Sequence, residues 1–157
     1  MIGVILAAGM ARRLRPLTDT RPKCLLCVGE RTLLQRTVDA MVAAGIQELV
    51  VVTGYRAEML RTFLTEHYPV LNIHFIHNAD YEHNNNIFSL WMTRPYTDGH
   101  DFLLMDSDIL FDPAVLPYLL TGFCRGEGVL RKGHASKGKG KLCYEWTDTL
   151  IAPFALC

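Results

Sequence analysis

The stretch LAAGMARRLRPLTDTRPK, which spans residues 6–23, combines a glycine with five cations directly after an apolar segment. A glycine at that point lets the backbone turn tightly and approach a ligand closely. Backbone N–H groups in such a turn can hold phosphate oxygens, and arginine and lysine add charge. The pattern therefore indicates a phosphate site that uses Arg13, Arg15 and Lys23. A solvated basic loop is the alternative, because basic runs are commonly just surface.

Two aspartates follow another apolar segment, in LLMDSDI. Asp106 and Asp108 point the same way in an extended chain, because side chains alternate along a strand. Such a pair repels itself unless a cation or solvent intervenes, and Mg²⁺ prefers one or two carboxylates together with substrate phosphates. The alternative is that both aspartates cap a turn. The basic loop and the acidic pair together favour a site for a nucleoside triphosphate and Mg²⁺.

A scaffold must bring these residues together, and strands alternate with helices through most of the chain. The predicted strands, which are apolar and rich in β-branched residues, cover residues 2–8, 48–54, 72–78 and 101–106. The predicted helices cover residues 31–45, 56–68, 85–93 and 112–120. This alternation predicts a mostly parallel sheet with helices on both faces. Ligands bind such sheets beyond the carboxyl ends of the strands, which is where the basic stretch, residues 78–89 and the aspartates lie.

Local signals indicate the ends of two of these helices. Thr32 and Gln35 have the spacing of a capping box, and Gly45 supplies a C-terminal stop. Asp112 is the expected N-cap of the last helix, with Pro113 at its first position. The inner face of the first helix is expected to consist of Leu34, Val38, Met41 and Val42.

The alternation of strands and helices stops near residue 122. Residues 1–122 are predicted to form the nucleotide-binding domain, and residues 123–157 an atypical segment of loop or disorder. One short strand is expected there, in TLIAPFAL. The sequence GHASKGKG nearly matches a phosphate-binding P-loop, but Gly140 stands where a metal-binding hydroxyl belongs, so a flexible basic segment is the preferred interpretation.

The composition excludes several classes of protein. The 157 residues are 50% hydrophobic and 20% charged, which is ordinary for one globular domain. Lys plus Arg and Asp plus Glu are equal at 16 each, so the overall charge favours neither nucleic acid nor a membrane surface as partner. No secretory signal or membrane span is recognised, so the expected location is cytoplasmic. Cys24 and Cys27 are expected to pack as small apolar residues, because a zinc site needs two more ligands.

The basic stretch resembles the nucleotidyltransferase family that transfers a nucleoside monophosphate from an NTP to a phosphorylated acceptor. The family pattern is L-A-A-G-x-G-x-R-L-x-P-L-T-x-x-x-P-K, and this chain departs from its fixed positions only at Ala11, which replaces the second glycine. The resemblance continues through GYRAEML, NADYEHNNNIFSL and DSDIL, to about residue 120. The asparagines of the second segment are most similar to the phosphocholine cytidylyltransferase branch and to enzymes that act on aminoethylphosphonate. Sugar-1-phosphate members usually have a proline- and glycine-containing turn there.

This resemblance implies a fold and a set of roles. The fold is a three-layer α/β/α sandwich with a Rossmann-like, mostly parallel sheet, incomplete at its C-terminus. Arg13 and Lys23 would be catalytic, by neutralising charge at the reacting phosphorus. Asp108, supported by Asp106, would hold Mg²⁺, and some polar residues would lie near the base or the acceptor. The nucleotide-binding residues implied in this way are Leu6, Ala7, Ala8, Gly9, Arg13, Lys23, Asn78, Asn86 and Ser89.

The expected activity is Mg²⁺-dependent transfer of CMP from CTP to a phosphorylated amino alcohol such as phosphocholine, with release of pyrophosphate. A sugar-1-phosphate acceptor, a glycosyltransferase with a D-x-D pair, and a catalytically silent nucleotide-binding module are the alternatives. Family members are considerably longer, and their later portion supplies much of the acceptor pocket. The 157-residue chain is therefore expected to bind CTP and Mg²⁺ but to turn over slowly or not at all. The oligomeric state stays open.

Overall fold

The computed structural model describes residues 1–124, 133–138 and 141–146 of the chain, with side chains described for residues 1–120. Within these ranges the strands are β1 (Ile2–Ala7), β2 (Cys27–Val28), β3 (Arg31–Thr32), β4 (Glu48–Thr53), β5 (Asn72–His77), β6 (Phe102–Asp106), β7 (Gly133–Gly138) and β8 (Lys141–Trp146). The α-helices in the same ranges are α1 (Leu33–Ala43), α2 (Ala57–His67), α3 (Asn86–Met92), α4 (Arg94–Thr97) and α5 (Val115–Cys124).

Four of these strands form a parallel sheet in the order β5-β4-β1-β6. β1 lies inside the sheet, where Leu6 is opposite Val52 of β4 on one side and Asp106 of β6 on the other. Every residue of β1 is buried, because helices cover both faces of a parallel sheet. The predicted fold class, a three-layer α/β sandwich of Rossmann-like type, is confirmed.

The chain order explains which face each helix covers. β1, β4 and β5 are added in one direction across the sheet, and the chain then returns to the far side of β1 to form β6. Right-handed crossovers place the connecting helices on one face for the first direction and on the opposite face for the return. Accordingly, α1 and α2 pack against one face, and α3 and α4 against the other.

The two faces of β1 contribute to two separate apolar clusters. Ile5 and Ala7 belong to the cluster with α1 and α2, whereas Val4 and Leu6 belong to the cluster with Leu90 of α3. The predicted inner face of α1 is correct for three residues, which are fully buried: Leu34, Val38 and Met41. Val42 is 41% exposed, because the buried side of the helix continues through Leu33, Thr37 and Ala40 and so lies away from Val42.

The capping residues in the sequence predict the ends of α1 correctly but not the start of α5. The Thr32 hydroxyl accepts the backbone N–H of Gln35 at 3.0 Å, as expected of an N-cap, and Gly45 follows α1 with a φ of 85°. The start of α5 was predicted too early. Asp112 accepts the N–H of Ala114 through its carboxylate at 2.9 Å and forms a turn, so the helix begins only at Val115.

Two strands lie where a loop or disorder was expected. β7 and β8 pair antiparallel, with Gly133 opposite Trp146, and lie next to α3. Leu142, Tyr144 and Trp146 place a large apolar side chain at every second position, which favours a strand. The many glycines and lysines of this region made that alternation easy to miss. The strand expected in TLIAPFAL lies outside the described residues. None of the helices described is long and apolar enough to span a membrane.

Candidate active site

A pocket of about 610 Å³ lies where the carboxyl ends of β1 and β6 are side by side. The strand order reverses between these two strands, and ligands bind α/β sheets at such a switch point. The loop after β1 lines one side of the pocket, the end of β6 another, and Asn86 of α3 also contributes. The fold therefore brings the basic stretch and the aspartate pair to one site.

The backbone of the loop leaves β1 at Gly9, which is exposed and lines the pocket. A Cβ at Gly9 would meet no atom of the described chain within 4 Å, and the φ of this residue is not positive. Neither packing nor conformation therefore requires a glycine there. Open space beside the backbone is what a closely approaching phosphate needs.

Ala11 has a left-handed conformation, with φ 47° and ψ 50°. Its carbonyl accepts the N–H of Leu14 at 2.9 Å and the hydroxyl of the buried Thr18 at 3.1 Å, which holds the 3-10 turn Arg12–Leu14 against the loop. Glycine adopts this conformation without steric cost, whereas alanine does not. The positive φ is a physical reason for glycine to be favoured at this position.

The segment after β4 tethers the far end of the same loop. The Tyr55 hydroxyl lies 2.9 Å from the carbonyl oxygen of Thr18, and Arg56 donates to the carbonyl of Asp19 at 2.7 Å. The N–H of Tyr55 also donates to the carbonyl of Ala8 at 3.0 Å. Gly54 permits this approach, because a Cβ there would lie 2.7 Å from the Ala8 oxygen. Sequence reasoning assigned no role to these contacts.

The predicted cations of the loop differ in whether they line the pocket. Arg13 and Lys23 line the pocket, and within residues 1–120 no carboxylate pairs with Arg13. Lys23 forms an ion pair with Asp108 across the pocket. Arg15, which was also expected to supply charge, pairs with Asp19 at 3.2 Å and lies outside the pocket lining. Arg12 lines the pocket, although no motif in the sequence singled it out.

Asp106 and Asp108 both line the pocket, with Asp106 at the end of β6. Burial raises the pKa of Asp106, and the charge of Asp108 raises it further, while Lys23 opposes the shift. Asn86 donates to the Asp106 carboxylate at 3.3 Å. The pair is thus a partly buried concentration of negative charge that the ammonium group of Lys23 offsets in part.

The chemistry of this donor set fits Mg²⁺. Carboxylate oxygens are the hard donors that Mg²⁺ prefers, and it usually takes one or two of them and completes its shell with phosphate oxygens and water. No cluster of three or more histidine, cysteine or acidic side chains suited to a metal occurs among the described residues. Asp106 and Asp108 would therefore hold the ion together with a bound phosphate, and not as a complete protein cage.

Asn78 and Ser89 lie outside the lining of the pocket. Asn78 is 1% exposed and donates to Asn84 at 2.7 Å and to the hydroxyl of Ser89 at 3.1 Å. These contacts order the turn before α3, whose N-cap is Asn85. Of the three residues expected near the base or acceptor, only Asn86 reaches the pocket, and a ligand-binding role for all three stays a prediction.

Leu6 and Ala7 of β1 also line the pocket, whereas Ala8 is buried and is absent from its lining. Cys24 is buried at the pocket wall, and burial is the main reason why the pKa of its thiol rises to about 12. The expectation that both nearby cysteines pack as apolar residues is wrong for Cys27, which is exposed. Its position in the short strand β2, at the surface, explains the difference.

Residues 3–147 match the model of the MobA-like NTP transferase domain. The chain belongs to this family. The resemblance to a nucleotidyltransferase family that the basic stretch indicated is thereby confirmed.

Two of the similar relatives are a CMP-phosphonate synthase and a cytidylyltransferase. The chain is 36% identical over 116 residues to a CMP-5'-(3-aminopropyl)phosphonate synthase from Streptomyces rubellomurinus, a match that covers 74% of this chain and 18% of that protein. It is 36% identical over 107 residues to a 2-aminoethylphosphonate cytidylyltransferase from Lancefieldella rimae, which covers 68% of this chain and 42% of that protein. The chain thus spans less than half of the length of these relatives.

A solved structure with a similar fold is the CTP:phosphocholine cytidylyltransferase from Streptococcus pneumoniae. The two structures superpose with a TM-score of 0.62 at 29% identity, and the match covers 71% of this chain and 47% of the other. Relatives that act on sugar phosphates also occur, including a mannose-1-phosphate guanyltransferase from Hypocrea jecorina.

Proposed function

We propose that this chain binds CTP with Mg²⁺ and transfers CMP to a small acceptor that carries a phosphate or phosphonate group and an amine or quaternary ammonium group, such as phosphocholine. The observation that carries the proposal is the meeting of Lys23 and Asp108, 85 residues apart in the sequence, in one pocket. The cations of the loop suit a triphosphate, and the two aspartates suit its metal ion. The similarity to cytidylyltransferases supports CTP as the nucleotide.

The reaction needs little chemistry from the protein beyond placement and charge. A phosphomonoester has a second pKa of about 6, so at neutral pH an acceptor of this kind is already largely an anionic nucleophile. An acceptor oxygen attacks the α-phosphorus, a new P–O bond forms there, and the bond to the β-phosphate breaks to release pyrophosphate. No general base is required, and positioning with charge neutralisation supplies most of the catalysis.

The chain's own residues divide this work. Gly9 lets the phosphates approach the backbone, and Arg13 and Lys23 neutralise charge on the triphosphate. When bound at Asp106 and Asp108, Mg²⁺ would supply further neutralisation of the phosphate oxygens. Lys23 is paired with Asp108 here, so the cation that the loop offers to phosphate also balances a metal ligand.

Pyrophosphate release tests this proposal. The full chain is incubated with Mg²⁺, each of the four NTPs in turn, and phosphocholine, 2-aminoethylphosphonate, glucose-1-phosphate or mannose-1-phosphate. We expect release to be greatest with CTP and either phosphocholine or 2-aminoethylphosphonate, because similar proteins are named as cytidylyltransferases for these acceptors. Release that occurs only with a sugar-1-phosphate would favour the alternative acceptor class, for which the sugar-phosphate relatives provide support.

A further inference from the structure

Arg12 is a cation of the pocket that the proposed reaction leaves without a role. Arg12 is one of the residues that line the pocket, and its Nη2 lies 3.1 Å from Oε2 of Glu82. Glu82 belongs to the turn before α3, so this contact joins the phosphate loop to a segment 70 residues later. The family pattern leaves position 12 open, and so it implies nothing about this arginine.

The ion pair between Arg12 and Glu82 is weak compared with the interaction that a guanidinium group can make with phosphate. The two side chains are 63% and 45% exposed, and exposed ion pairs contribute little because water solvates both charges. A phosphate group can accept two parallel hydrogen bonds from the planar guanidinium, which is a stronger interaction. A phosphate that enters the pocket would therefore compete successfully with Glu82 for Arg12.

Arg15 provides a matched comparison within the same loop. Its side chain is similarly exposed, at 60%, and it also has an acidic partner, Asp19, at 3.2 Å. That partner lies four residues away on the same loop, and Arg15 is absent from the lining of the pocket. Exposure and pairing alone therefore do not distinguish the two arginines, whereas their position relative to the pocket does.

We propose that Arg12 is a further phosphate-binding residue of the nucleotide site, and that Glu82 is its counter-ion until a phosphate displaces it. This inference rests on the proposed function, because it assumes that the pocket receives a polyphosphate. It has a specific consequence for Glu82. This carboxylate opposes phosphate binding, and it does so through Arg12.

Isothermal titration of the full chain with inorganic tripolyphosphate, in buffer without Mg²⁺, tests both parts. Arg12→Ala should weaken binding about tenfold, as expected for the loss of a charge-assisted hydrogen bond, and the control Arg15→Ala should change it by less than about twofold. Glu82→Gln should tighten binding in the chain that retains Arg12. The same substitution should have a clearly smaller effect when combined with Arg12→Ala, because a double-mutant cycle isolates what the two residues do together.

The possible failures are distinguishable. If wild-type chain that is folded by circular dichroism does not bind tripolyphosphate, this inference is wrong, whereas the proposed function, which requires Mg²⁺, is tested separately by pyrophosphate release. If it binds, but Arg12→Ala behaves like Arg15→Ala, only the role of Arg12 is wrong. If Glu82→Gln tightens binding equally in both backgrounds, Glu82 acts as a general charge, and its assignment as the counter-ion of Arg12 is wrong.

Discussion

At the scale of single residues, Gly9 and Gly54 follow neighbouring strands but meet different constraints. A Cβ at Gly54 would lie 2.7 Å from the Ala8 oxygen and 2.8 Å from Tyr81, so the fold itself requires this glycine. A Cβ at Gly9 would meet nothing in the described chain within 4 Å. The contrast separates a glycine that packing needs from one that a ligand would need.

Gly9→Ala is expected to preserve the fold and to weaken nucleotide binding. The added methyl group enters open space in the pocket, where it would occupy the position of a phosphate. Stability to urea should be unchanged or should rise by up to about 1 kcal/mol, because alanine has less conformational freedom in the unfolded chain. Binding of CTP with Mg²⁺, measured by titration calorimetry, should fall at least tenfold.

Gly54→Ala is the matched control and should show the opposite pattern. It overpacks a buried contact, so unfolding should become easier by about 1–3 kcal/mol, while CTP binding by the remaining folded protein changes less. Loss of stability in Gly9→Ala, or unchanged CTP affinity in the same variant, would contradict the assignment of Gly9 to phosphate binding.

The raised pKa of Asp106 gives a prediction with a definite sign. Because its pKa is higher in the folded chain than in the unfolded chain, ionisation of Asp106 opposes folding. Asp106→Asn should therefore raise the melting temperature at pH 7 in the presence of EDTA. The gain should vanish below about pH 4, where the carboxyl group is protonated in both states. The side-chain oxygen of the asparagine can still accept from Asn86.

Added Mg²⁺ together with CTP should reverse this advantage, because the proposed metal site uses both carboxylates of the wild-type chain and is completed by phosphate, whereas the variant retains only the carboxylate of Asp108. Glu66→Gln, which removes an exposed carboxylate of α2, is the control and should give no comparable gain in EDTA. If Asp106→Asn lowers the melting temperature in EDTA at pH 7, the carboxylate is stabilising and the sign is wrong.

At the scale of elements, the loop after β1 carries a conformational cost at Ala11. Alanine in a left-handed conformation costs about 1–2 kcal/mol, and part of this is offset because glycine loses more freedom on folding. Ala11→Gly should therefore stabilise the chain by about 0.5–1 kcal/mol, as measured by urea unfolding. Ala43→Gly, at an exposed position near the end of α1, should lower stability and serves as the control. Equal destabilisation by both substitutions would show that the loop does not hold Ala11 left-handed.

Much of the arrangement of elements was predictable, because apolar periodicity is a local signal. The four strands of the main sheet fall within about one residue of the predicted ranges, and Thr32 caps α1 as expected. The signals failed where tertiary context decided. Val42 has an apolar side chain but lies outside the buried face of α1, and Asp112 forms a turn before α5 instead of its cap.

The site was predictable to the extent that it lies in local motifs. Gly9, Arg13, Lys23 and the two aspartates stand out in the sequence, and the fold places all of them at one pocket. The partnership of Arg12 with Glu82 was not predictable, because it depends on which turn packs opposite the loop. The burial of Asn78 away from the pocket likewise follows from side-chain contacts with Asn84 and Ser89.

At the scale of the whole molecule, the pocket joins segments that are distant in the chain. It lies at the switch point between β1 and β6, and the loop after one strand pairs there with the end of the other through Lys23 and Asp108. The equal numbers of positive and negative residues, 16 of each, provide no overall field to attract an anion. On the proposed function, nucleotide affinity would come from this local arrangement, and a bound nucleotide should stabilise the contact between the two segments.

Thermal unfolding with nucleotide present measures this coupling independently of turnover. A ligand at 100 times its Kd adds about 2.7 kcal/mol of stability, and 1 kcal/mol corresponds to about 2–4 °C for a chain of this size. CTP with Mg²⁺ should therefore raise the melting temperature by several degrees, and more than ATP, GTP or UTP at the same concentration. Arg13→Ala should reduce the shift strongly and Arg15→Ala only slightly, because only the first lines the pocket. Equal shifts with all four nucleotides would argue against a preference for cytosine, and no shift with any of them would show that the charges gathered at the switch point do not form a nucleotide site.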